Sequence, residues 1–455
     1  MAINPFIFRE YDIRGLVDKD LNDETVRLIG RGYSAYLAGK GVKTLSVGGD
    51  VRLSSGRYMD ILAQAAVDSG LNVIKLGYVP TPLSYYSLYK LDVGGSIMVT
   101  GSHNPADFNG FKLGLDHTTI YGQEIKKVLE IIQAEKFVNG KGTVTEHNII
   151  PEYEAMVLEK FKFKRKVKVV VDAGNGTAAL FVPALLRKAG VEVVELFCEV
   201  DGRFPNHHPD PTVEKNLKDL KAKVAETGAD AGIAFDGDSD RIGVVDNNGK
   251  VIWGDYLLLL YTLDMLKSKP GASVIYEVKC SQALEEEITK AGGVPVMWKT
   301  GHSLLKAKMK ETGALLAGEM SGHMFFADRY FGYDDAVYAA FRLIEIMANT
   351  TEKLSSMVEK LPSYVSTPEM RLECASDADK FNITEKAVKY FQGVNKTITI
   401  DGVRILFGDG WGLIRSSNTQ PILVLRFEAK NEKRLNEIKT QVIAKLKEFG
   451  TFTEE

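Results

Sequence analysis

The chain has 455 residues, 45% of them hydrophobic, which exceeds one hydrophobic core of ordinary size and predicts three or four domains. Lys and Arg total 57 and Asp and Glu total 60, so the net charge of -3 gives no overall attraction to nucleic acid or to an anionic membrane. Three scattered cysteines, an N-terminus charged too early for a signal peptide and an apolar run broken by Asp264 predict a cytoplasmic protein that binds neither nucleic acid nor membrane.

The same succession of short apolar strands and helices occurs three times along the chain. First strands are predicted at 44–47, 167–171 and 272–275, and second strands at 72–75, 191–194 and 294–297. The third strand of each unit ends in polar residues, at 101–105, 236–241 and 318–323. Such alternation is typical of parallel sheets, whose ligands bind beyond the carboxyl ends of the strands. The three polar segments are therefore expected to share one cleft, although three unrelated polar turns are the alternative.

The pattern changes after about residue 363. Four strands at 397–400, 403–407, 412–415 and 422–426 lie close together, and a helix follows at 432–449. We therefore predict three similar α/β domains with mixed, mostly parallel sheets, followed by a C-terminal α+β domain, all arranged around a central cleft. The predicted domain boundaries are 1–147, 148–250, 251–362 and 363–455.

Ser102 lies directly after the apolar strand of the first unit, in the run Thr-Gly-Ser-His-Asn-Pro at 100–105. Glycine before it and proline after it predict an exposed hydroxyl on a stiff turn. The acyl-transfer motif G-x-S-x-G is not matched, because Thr100 and Asn104 occupy its glycine positions. A phosphoserine is the better interpretation, and a turn serine that caps the backbone is the alternative.

Asp236, Asp238 and Asp240 follow the third strand of the second unit at alternate positions. Three close carboxylates repel one another, so a divalent cation held by oxygen ligands explains them best. A helix-loop-helix calcium site also begins D-x-D-x-D, but here its glycine and glutamate positions hold Arg241 and Asn247. A solvated acidic turn is the alternative. A cation beside a serine phosphate indicates phosphoryl transfer.

Two further groups suit a phosphate. His103 and Lys112 can supply hydrogen bonds and positive charge at a transferring phosphoryl group. A turn after a later strand combines a guanidinium with hydroxyls and backbone amides, unless it is an ordinary polar turn. Its residues are Arg415, Ser416, Ser417, Asn418 and Thr419.

Gly174-Asn-Gly176-Thr-Ala-Ala179, with Glu195 downstream, matches a dinucleotide fingerprint. The match is weak by itself, because nothing else in the sequence suits hydride transfer. Tight packing between a strand and a helix is the favoured interpretation.

These segments together resemble the α-D-phosphohexomutase superfamily and, within it, the bacterial phosphomannomutase/phosphoglucomutase branch. The resemblance covers nearly the whole chain, and its motifs occur in the expected order. They are 8–15 (FREYDIRG), 100–105 (TGSHNP), 236–241 (DGDSDR), 278–281 (VKCS), 299–303 (KTGHS), 318–323 (GEMSGH) and 415–419 (RSSNT).

The resemblance implies specific roles. Ser102 would carry the phosphoryl group and, with Asp236, Asp238 and Asp240, would hold Mg²⁺. Arg241, His103 and Lys112 would assist transfer, and His323 would be a general base. The residues that would bind the substrate are Tyr11, Arg14, Lys279, His302, Glu319, Ser321, Arg415, Ser417, Asn418 and Thr419.

The implied reaction interconverts hexose 1-phosphate and hexose 6-phosphate. The phosphoenzyme would form a hexose 1,6-bisphosphate, which also serves as activator, turns end for end and returns its other phosphate to Ser102. Sugar phosphates are the expected partners, and a monomer or small homo-oligomer is the expected state. Two departures from relatives bear on the substrate: Ser416 replaces a frequent alanine, and Met320 favours neutral hexoses over amino sugars.

Two other functions use the same residues. A metal-dependent phosphatase or phosphotransferase would pass the phosphate from Ser102 to water or another acceptor. A sugar-phosphate binding protein without activity would need Ser102 only as a turn residue.

Overall fold

The computed structural model describes residues 3–417 and 421–454. Four sheets succeed one another along the chain, the first three flanked by helices as the sequence predicts. Within the described residues, no helix is both long and apolar enough to cross a bilayer.

The first sheet has the order β1-β5-β4-β2-β3-β7, with β6 paired to β5. Strands β2, β3, β4 and β7 are parallel, and β5 is antiparallel to both of its neighbours in this order. The helices are Asp23–Gly39 (α1), Ser55–Asp68 (α2), Thr81–Lys90 (α3) and Gln123–Gln133 (α4). The strands are Ile13–Leu16 (β1), Thr44–Gly49 (β2), Asn72–Tyr78 (β3), Gly95–Val99 (β4), Phe108–Leu115 (β5), Thr118–Thr119 (β6) and Val144–Glu146 (β7).

The second sheet, β12-β11-β10-β8-β9, has three parallel strands (β8, β9 and β10) and an antiparallel pair, β10 with β11. Its strands are Lys168–Asp172 (β8), Glu192–Leu196 (β9), Ala231–Phe235 (β10), Ile242–Asp246 (β11) and Val251–Ile252 (β12), and its helices are Ile150–Lys160 (α5), Val182–Lys188 (α6) and Lys218–Thr227 (α7). Strand β12, which lies just beyond the predicted boundary at residue 250, pairs with β11 of this sheet.

The third sheet, β14-β13-β15-β16, repeats this plan with parallel β13, β14 and β15 and antiparallel β16. Its strands are Ser273–Glu277 (β13), Val294–Trp298 (β14), Leu316–Gly318 (β15) and Met324–Phe326 (β16). The helices are Gly254–Ser268 (α8), Gln282–Lys290 (α9), His302–Thr312 (α10), Ala336–Ala348 (α11) and Leu354–Glu359 (α12). Each predicted third strand is therefore followed by an antiparallel strand that the sequence pattern did not predict.

The last sheet is antiparallel in every recorded pair. Its strands are Val365–Ser366 (β17), Met370–Glu373 (β18), Lys396–Ile398 (β19), Val403–Leu406 (β20), Gly410–Ser416 (β21), Ile422–Ala429 (β22) and Thr453–Glu454 (β23). Two helices, Asp377–Val394 (α13) and Glu432–Lys447 (α14), pack against β21 and β22. The predicted C-terminal α+β domain is confirmed, but the sequence pattern missed α13 and β18.

Local sequence explains several element boundaries. Helices α1, α9, α11, α13 and α14 each begin after a polar side chain that accepts a hydrogen bond from an N–H group of the first turn. These caps are Asn22, Ser281, Asp335, Ser376 and Asn431. The central strand β10 is buried along its whole length, as expected for a parallel strand covered on both faces.

One hydrophobic core continues from the second domain into the third and includes residues of α3 from the first. The remainder of the first domain and the last domain have their own cores. Because the first three domains pack on one another in this way, the ends of their sheets are held in fixed relation.

Two arginines attach the last domain to the third. Arg404 is fully buried, donates 2.8 Å hydrogen bonds to the carbonyls of Val278 and Cys280, and lies 3.7 Å from the ring centre of Trp411. Arg426 donates to the carbonyl between them, that of Lys279. Three successive carbonyls are thus bound by side chains of another domain.

We expect Arg404→Met to weaken this docking by about 2 to 4 kcal/mol, because two buried carbonyls lose their donors. Hydrogen exchange should become faster in residues 278–280. Arg434→Met is the matched control, since Arg434 makes a half-exposed ion pair with Asp409 in the same domain. Equal exchange in the two variants would contradict this account of the interface.

Candidate active site

Three loops meet at one edge of the three α/β sheets. Each connects the third parallel strand of a domain to the antiparallel strand that follows it. The loops lie between β4 and β5, between β10 and β11, and between β15 and β16. They contain Ser102, the three aspartates, and Glu319 to His323, so the structure brings together the polar segments that the sequence predicted to share a cleft.

Ser102 is buried, so the prediction of an exposed hydroxyl is wrong: the acidic loop of the second domain covers it. Its backbone is left-handed, with φ of 48°. Its Oγ lies 2.9 Å from Oδ2 of Asp236 and 3.1 Å from Nδ1 of His103. Its backbone N–H donates to Oγ1 of Thr100 at 2.8 Å. The hydroxyl is therefore presented directly to the acidic loop of the second domain, 134 residues away in sequence.

Asp236, Asp238 and Asp240 are all fully buried, and one oxygen from each lies within 4.8 Å of the other two. Burial, with the neighbouring charges of Asp240 and Asp238, raises the pKa of Asp236 well above its usual range. Oδ1 of Asp238 is buried and has no hydrogen-bond partner among the described residues. An all-oxygen donor set with an unpaired buried oxygen fits a divalent cation such as Mg²⁺.

Lys112, on β5, compensates part of this negative charge. Its Nζ donates to Oδ2 of Asp238 at 2.9 Å and to Oδ2 of Asp240. Burial alone would lower the pKa of Lys112, but the two carboxylates raise it well above its usual value. The side chain therefore remains positively charged beside Ser102's loop, as its predicted role requires. Oγ1 of Thr81 donates to the same oxygen of Asp238 at 2.5 Å, a contact that the sequence did not indicate.

His323 lies between two carboxylates, with Nδ1 2.5 Å from Glu319 and Nε2 3.2 Å from Asp240. Burial disfavours the charged ring, but Asp240 and Glu319 outweigh it and raise the pKa of His323 to about 9. In this arrangement both ring nitrogens carry a proton at neutral pH, so the ring is positively charged. A cation bound to Asp240 would offset one flanking charge and favour the neutral ring that a general base needs. Nε of Arg241 lies 3.3 Å from Nε2 of His323.

His302 begins helix α10 and faces His323, with 5.6 Å between the ring centres. Its Nδ1 lies 3.5 Å from Asp334, a fully buried carboxylate that also binds Lys306 at 3.0 Å. Burial and the nearby Lys306 lower the pKa of His302 well below its usual range. His302 is therefore a neutral ring beside a charged one.

The predicted residues of the first segment also reach the cleft. Tyr11 donates its hydroxyl to the carbonyl of Thr300 at 2.8 Å, which links it to the loop before α10. Arg14 donates to Asn104 at 2.7 Å and pairs with Asp12. Arg14, on β1, thereby contacts the serine loop between β4 and β5.

Lys279 forms ion pairs with Glu369 at 3.0 Å and Glu277 at 3.5 Å. Glu277 was missed by sequence reasoning; it is fully buried and ends β13, two residues beyond the strand predicted at 272–275. It accepts hydrogen bonds from Thr300 and from the N–H of Met320, so it joins two loops of the third domain. Burial raises its pKa.

The turn of the last domain approaches the same cleft through Arg415, whose Nε donates to Asp401 at 3.0 Å. Asp401 also accepts from the N–H of Thr300 at 3.1 Å. Ser417 donates its N–H to Ile422, whereas Asn418 and Thr419 lie outside the described residues. The extra hydroxyl of Ser416 lies 2.8 Å from that of Thr384 on α13.

The glycine-rich turn at 174–179 supports the acidic loop. A Cβ at Gly176 would come within 2.8 Å of the Gly237 carbonyl, and Thr177 donates its N–H to that carbonyl at 3.0 Å. The Thr177 hydroxyl also lies 2.9 Å from that of Ser239. The turn therefore packs against the acidic loop.

Sequence models of phosphoglucomutase/phosphomannomutase domains match the chain in four successive segments. Alpha/beta/alpha domain I matches 5–139, domain II matches 151–249, domain III matches 253–364 and the C-terminal domain matches 369–445.

Curated proteins are similar over almost the full length. A phosphomannomutase/phosphoglucomutase of Pseudomonas syringae pv. tomato is 48% identical over 98% of this chain and 96% of its own. A phosphoglucomutase of Neisseria meningitidis serogroup A is 45% identical over 96% of this chain and 95% of its own. Among solved structures, a phosphoglucomutase/phosphomannomutase family protein of Burkholderia thailandensis matches with a TM-score of 0.94 at 41% identity, covering 99% of this chain and 100% of that one.

Proposed function

The chain belongs to the phosphoglucomutase/phosphomannomutase family, and from this we propose that it interconverts the 1-phosphates and 6-phosphates of mannose and glucose. The observation that carries the proposal is the 2.9 Å contact between Ser102 Oγ and Asp236, with Lys112 bound to the same acidic loop. A phosphoryl group on Ser102 would lie between a basic residue and three carboxylates. That arrangement suits transfer of the group only when a cation balances the charge.

Asp236, Asp238 and Asp240 would hold Mg²⁺ together with a phosphate oxygen on Ser102. Mg²⁺ bound there would neutralise negative charge that develops on the transferring group. Lys112 remains charged because of Asp238 and Asp240, and it would stabilise the same group from the first domain.

In the first half-reaction the bond between Ser102 Oγ and phosphorus breaks, and a bond forms from phosphorus to the free sugar hydroxyl. The hydroxyl proton would pass to His323, and Ser102 Oγ would take up a proton from solvent as its bond to phosphorus breaks. The resulting bisphosphate turns end for end. Its other phosphate then returns to Ser102 by the reverse of the same steps. In the second half-reaction His323 would give its proton to the sugar oxygen that loses phosphate, and Ser102 Oγ would lose its own proton.

Both orientations of the bisphosphate must fit one cleft. Glu319 and Ser321 would bind sugar hydroxyls, with Tyr11, Arg14, Lys279 and His302 around the sugar and its phosphate. Arg415, Ser417, Asn418 and Thr419 would bind whichever phosphate is not reacting. Hexose 1,6-bisphosphate would act as activator by restoring the phosphate on Ser102.

The mutase can be separated from a phosphatase in one assay. Purified protein is incubated with Mg²⁺, glucose 1-phosphate and a trace of glucose 1,6-bisphosphate, and glucose 6-phosphate and free phosphate are both measured. We expect glucose 6-phosphate with little free phosphate. Free phosphate without isomerised sugar would overturn the mutase and favour the phosphatase.

We expect glucose 1-phosphate and mannose 1-phosphate to be used with kcat/KM values within about 10³-fold of each other. The two sugars differ only at C2, and the proposed hydroxyl-binding residues are expected to contact other positions. Parallel measurement of kcat/KM for both sugars checks this. A larger ratio would mean that a side chain in the cleft discriminates at C2.

A further inference from the structure

Arg52 lies behind the serine loop and makes a hydrogen bond with every N–H group of its guanidinium. Nε donates to Oδ2 of Asp50 at 3.1 Å. The two terminal nitrogens donate to four backbone carbonyls of the serine loop. These carbonyls belong to Ser102, Asn104, Pro105 and Phe108. A guanidinium has five N–H donors, so all of them are used.

Asp50 binds both Arg52 and the start of the serine loop. It accepts from the N–H of Gly101 at 3.1 Å, from the N–H of Arg52 at 3.0 Å and from the hydroxyl of Ser55 at 2.5 Å. Asp50 and the Arg52 side chain are both almost fully buried. The pair therefore binds the backbone immediately before Ser102 and the four carbonyls that follow.

The glycine before Ser102 makes this contact possible. A Cβ at Gly101 would lie 2.5 Å from Nε of Arg52, so no larger residue fits. The central carbon of the guanidinium also lies 5.0 Å from the ring centre of Phe204, in the second domain. Arg52 is thus enclosed between the serine loop and the domain that supplies the acidic loop.

Ser102 needs such support for two physical reasons. Its φ of 48° is unfavourable for a residue with a side chain and persists only where the surroundings enforce it. A phosphate on Ser102 would also be repelled by the neighbouring carboxylates whenever cation charge is incomplete. A loop held through its own carbonyls resists both effects.

We propose that Arg52, oriented by Asp50, is a positioning residue that sets the place of the Ser102 hydroxyl relative to the acidic loop. It acts on the loop backbone and contacts neither phosphate nor sugar. The inference rests on the proposed function, because it assigns Arg52 to the phosphoryl-transfer step.

Arg52→Lys tests the proposal, because lysine keeps the charge but has three N–H donors in place of five. A displacement of the hydroxyl by about 1 Å should lower kcat about 10²-fold. KM for glucose 1-phosphate should stay within about threefold, since the Arg52 guanidinium donates only to Asp50 and to the serine-loop carbonyls among the described residues. Hydrogen exchange should become faster in residues 101–108.

Arg342→Lys is the matched control. Arg342 is equally buried, pairs with Asp328 at 2.7 Å and lies on α11, away from the serine loop. We expect it to lose stability with kcat unchanged and with exchange unchanged in residues 101–108. Asp50→Asn is a second test that keeps side-chain shape, and we expect a smaller loss of kcat, roughly tenfold.

Three outcomes would overturn the proposal: kcat of Arg52→Lys within threefold of wild type, an equal loss in Arg342→Lys, or a rise in KM with kcat unchanged. Wild-type protein in the same assay distinguishes failure of the Arg52 proposal from failure of the proposed function. If wild type releases only free phosphate, the mutase is wrong, while the exchange of residues 101–108 still tests whether Arg52 holds the loop.

Discussion

Ser102→Ala should lower kcat for sugar-phosphate interconversion by about 10⁴-fold or more, because it removes the oxygen that carries the phosphoryl group. The nearby Thr100 hydroxyl cannot substitute for it, since it accepts the N–H of Ser102. Binding of glucose 1-phosphate should be retained, as the proposed binding residues lie on other segments. Coupled activity assays and calorimetric titration measure the two quantities.

Intact-mass analysis supplies an independent readout. Wild type treated with glucose 1,6-bisphosphate should gain one phosphate, and Ser102→Ala should gain none. Ser87→Ala is the control, because Ser87 is a buried serine of the same domain that bonds Ser46 and Ser84. A variant at 102 that still takes up phosphate, or still isomerises sugar, would show that another group carries it.

Asp238→Asn should raise the Mg²⁺ concentration for half-maximal activity at least tenfold and lower kcat about 10²-fold. The substitution removes a buried charge from the acidic triad and leaves Lys112 with Asp240 as its remaining partner among the described carboxylates. Titration with Mn²⁺ monitored by calorimetry measures cation affinity without reference to activity.

Asp246→Asn is the control for charge removal in the same domain. Asp246 ends β11 at the far end from the triad and accepts the N–H groups of Asn248 and Lys250. It should leave Mg²⁺ dependence unchanged. Similar cation affinity in the two variants would contradict the assignment of the triad as the metal site.

The sequence predicted the serine and acidic loops well because a strand end is a local feature. Apolar residues at 96–99 and 231–235 mark the strands, and the polar residues that follow must lie at the carboxyl edge of the sheet. Asp50 and Arg52 also follow a predicted strand, yet the sequence pattern did not indicate a role for them. In the serine loop, Arg52 donates to backbone carbonyls fifty or more residues away, and Asp50 accepts the N–H of Gly101. Such distant backbone partners leave no sequence pattern.

Helix α13 was missed for a different reason. Only a narrow stripe of its 18 residues is buried, namely Lys380, Ile383, Ala387 and Phe391. Phe381, Tyr390 and Val394 are exposed large apolar residues on the same helix and blur the amphipathic pattern. Strands β19 to β22 of that domain were found because short apolar runs between turn residues mark them.

The three reactive loops are alike in their attachment, each spanning a parallel strand and an antiparallel neighbour in the same sheet. Both ends of each loop are thereby held by the ladder of backbone hydrogen bonds that joins its two flanking strands. Positions such as Ser321 could consequently diverge during evolution, and with them the range of accepted sugars, while His323, the Ser102 hydroxyl and the acidic triad keep their spacing. Loops attached in this way would allow substrate recognition to change while the phosphoryl-transfer step stays the same.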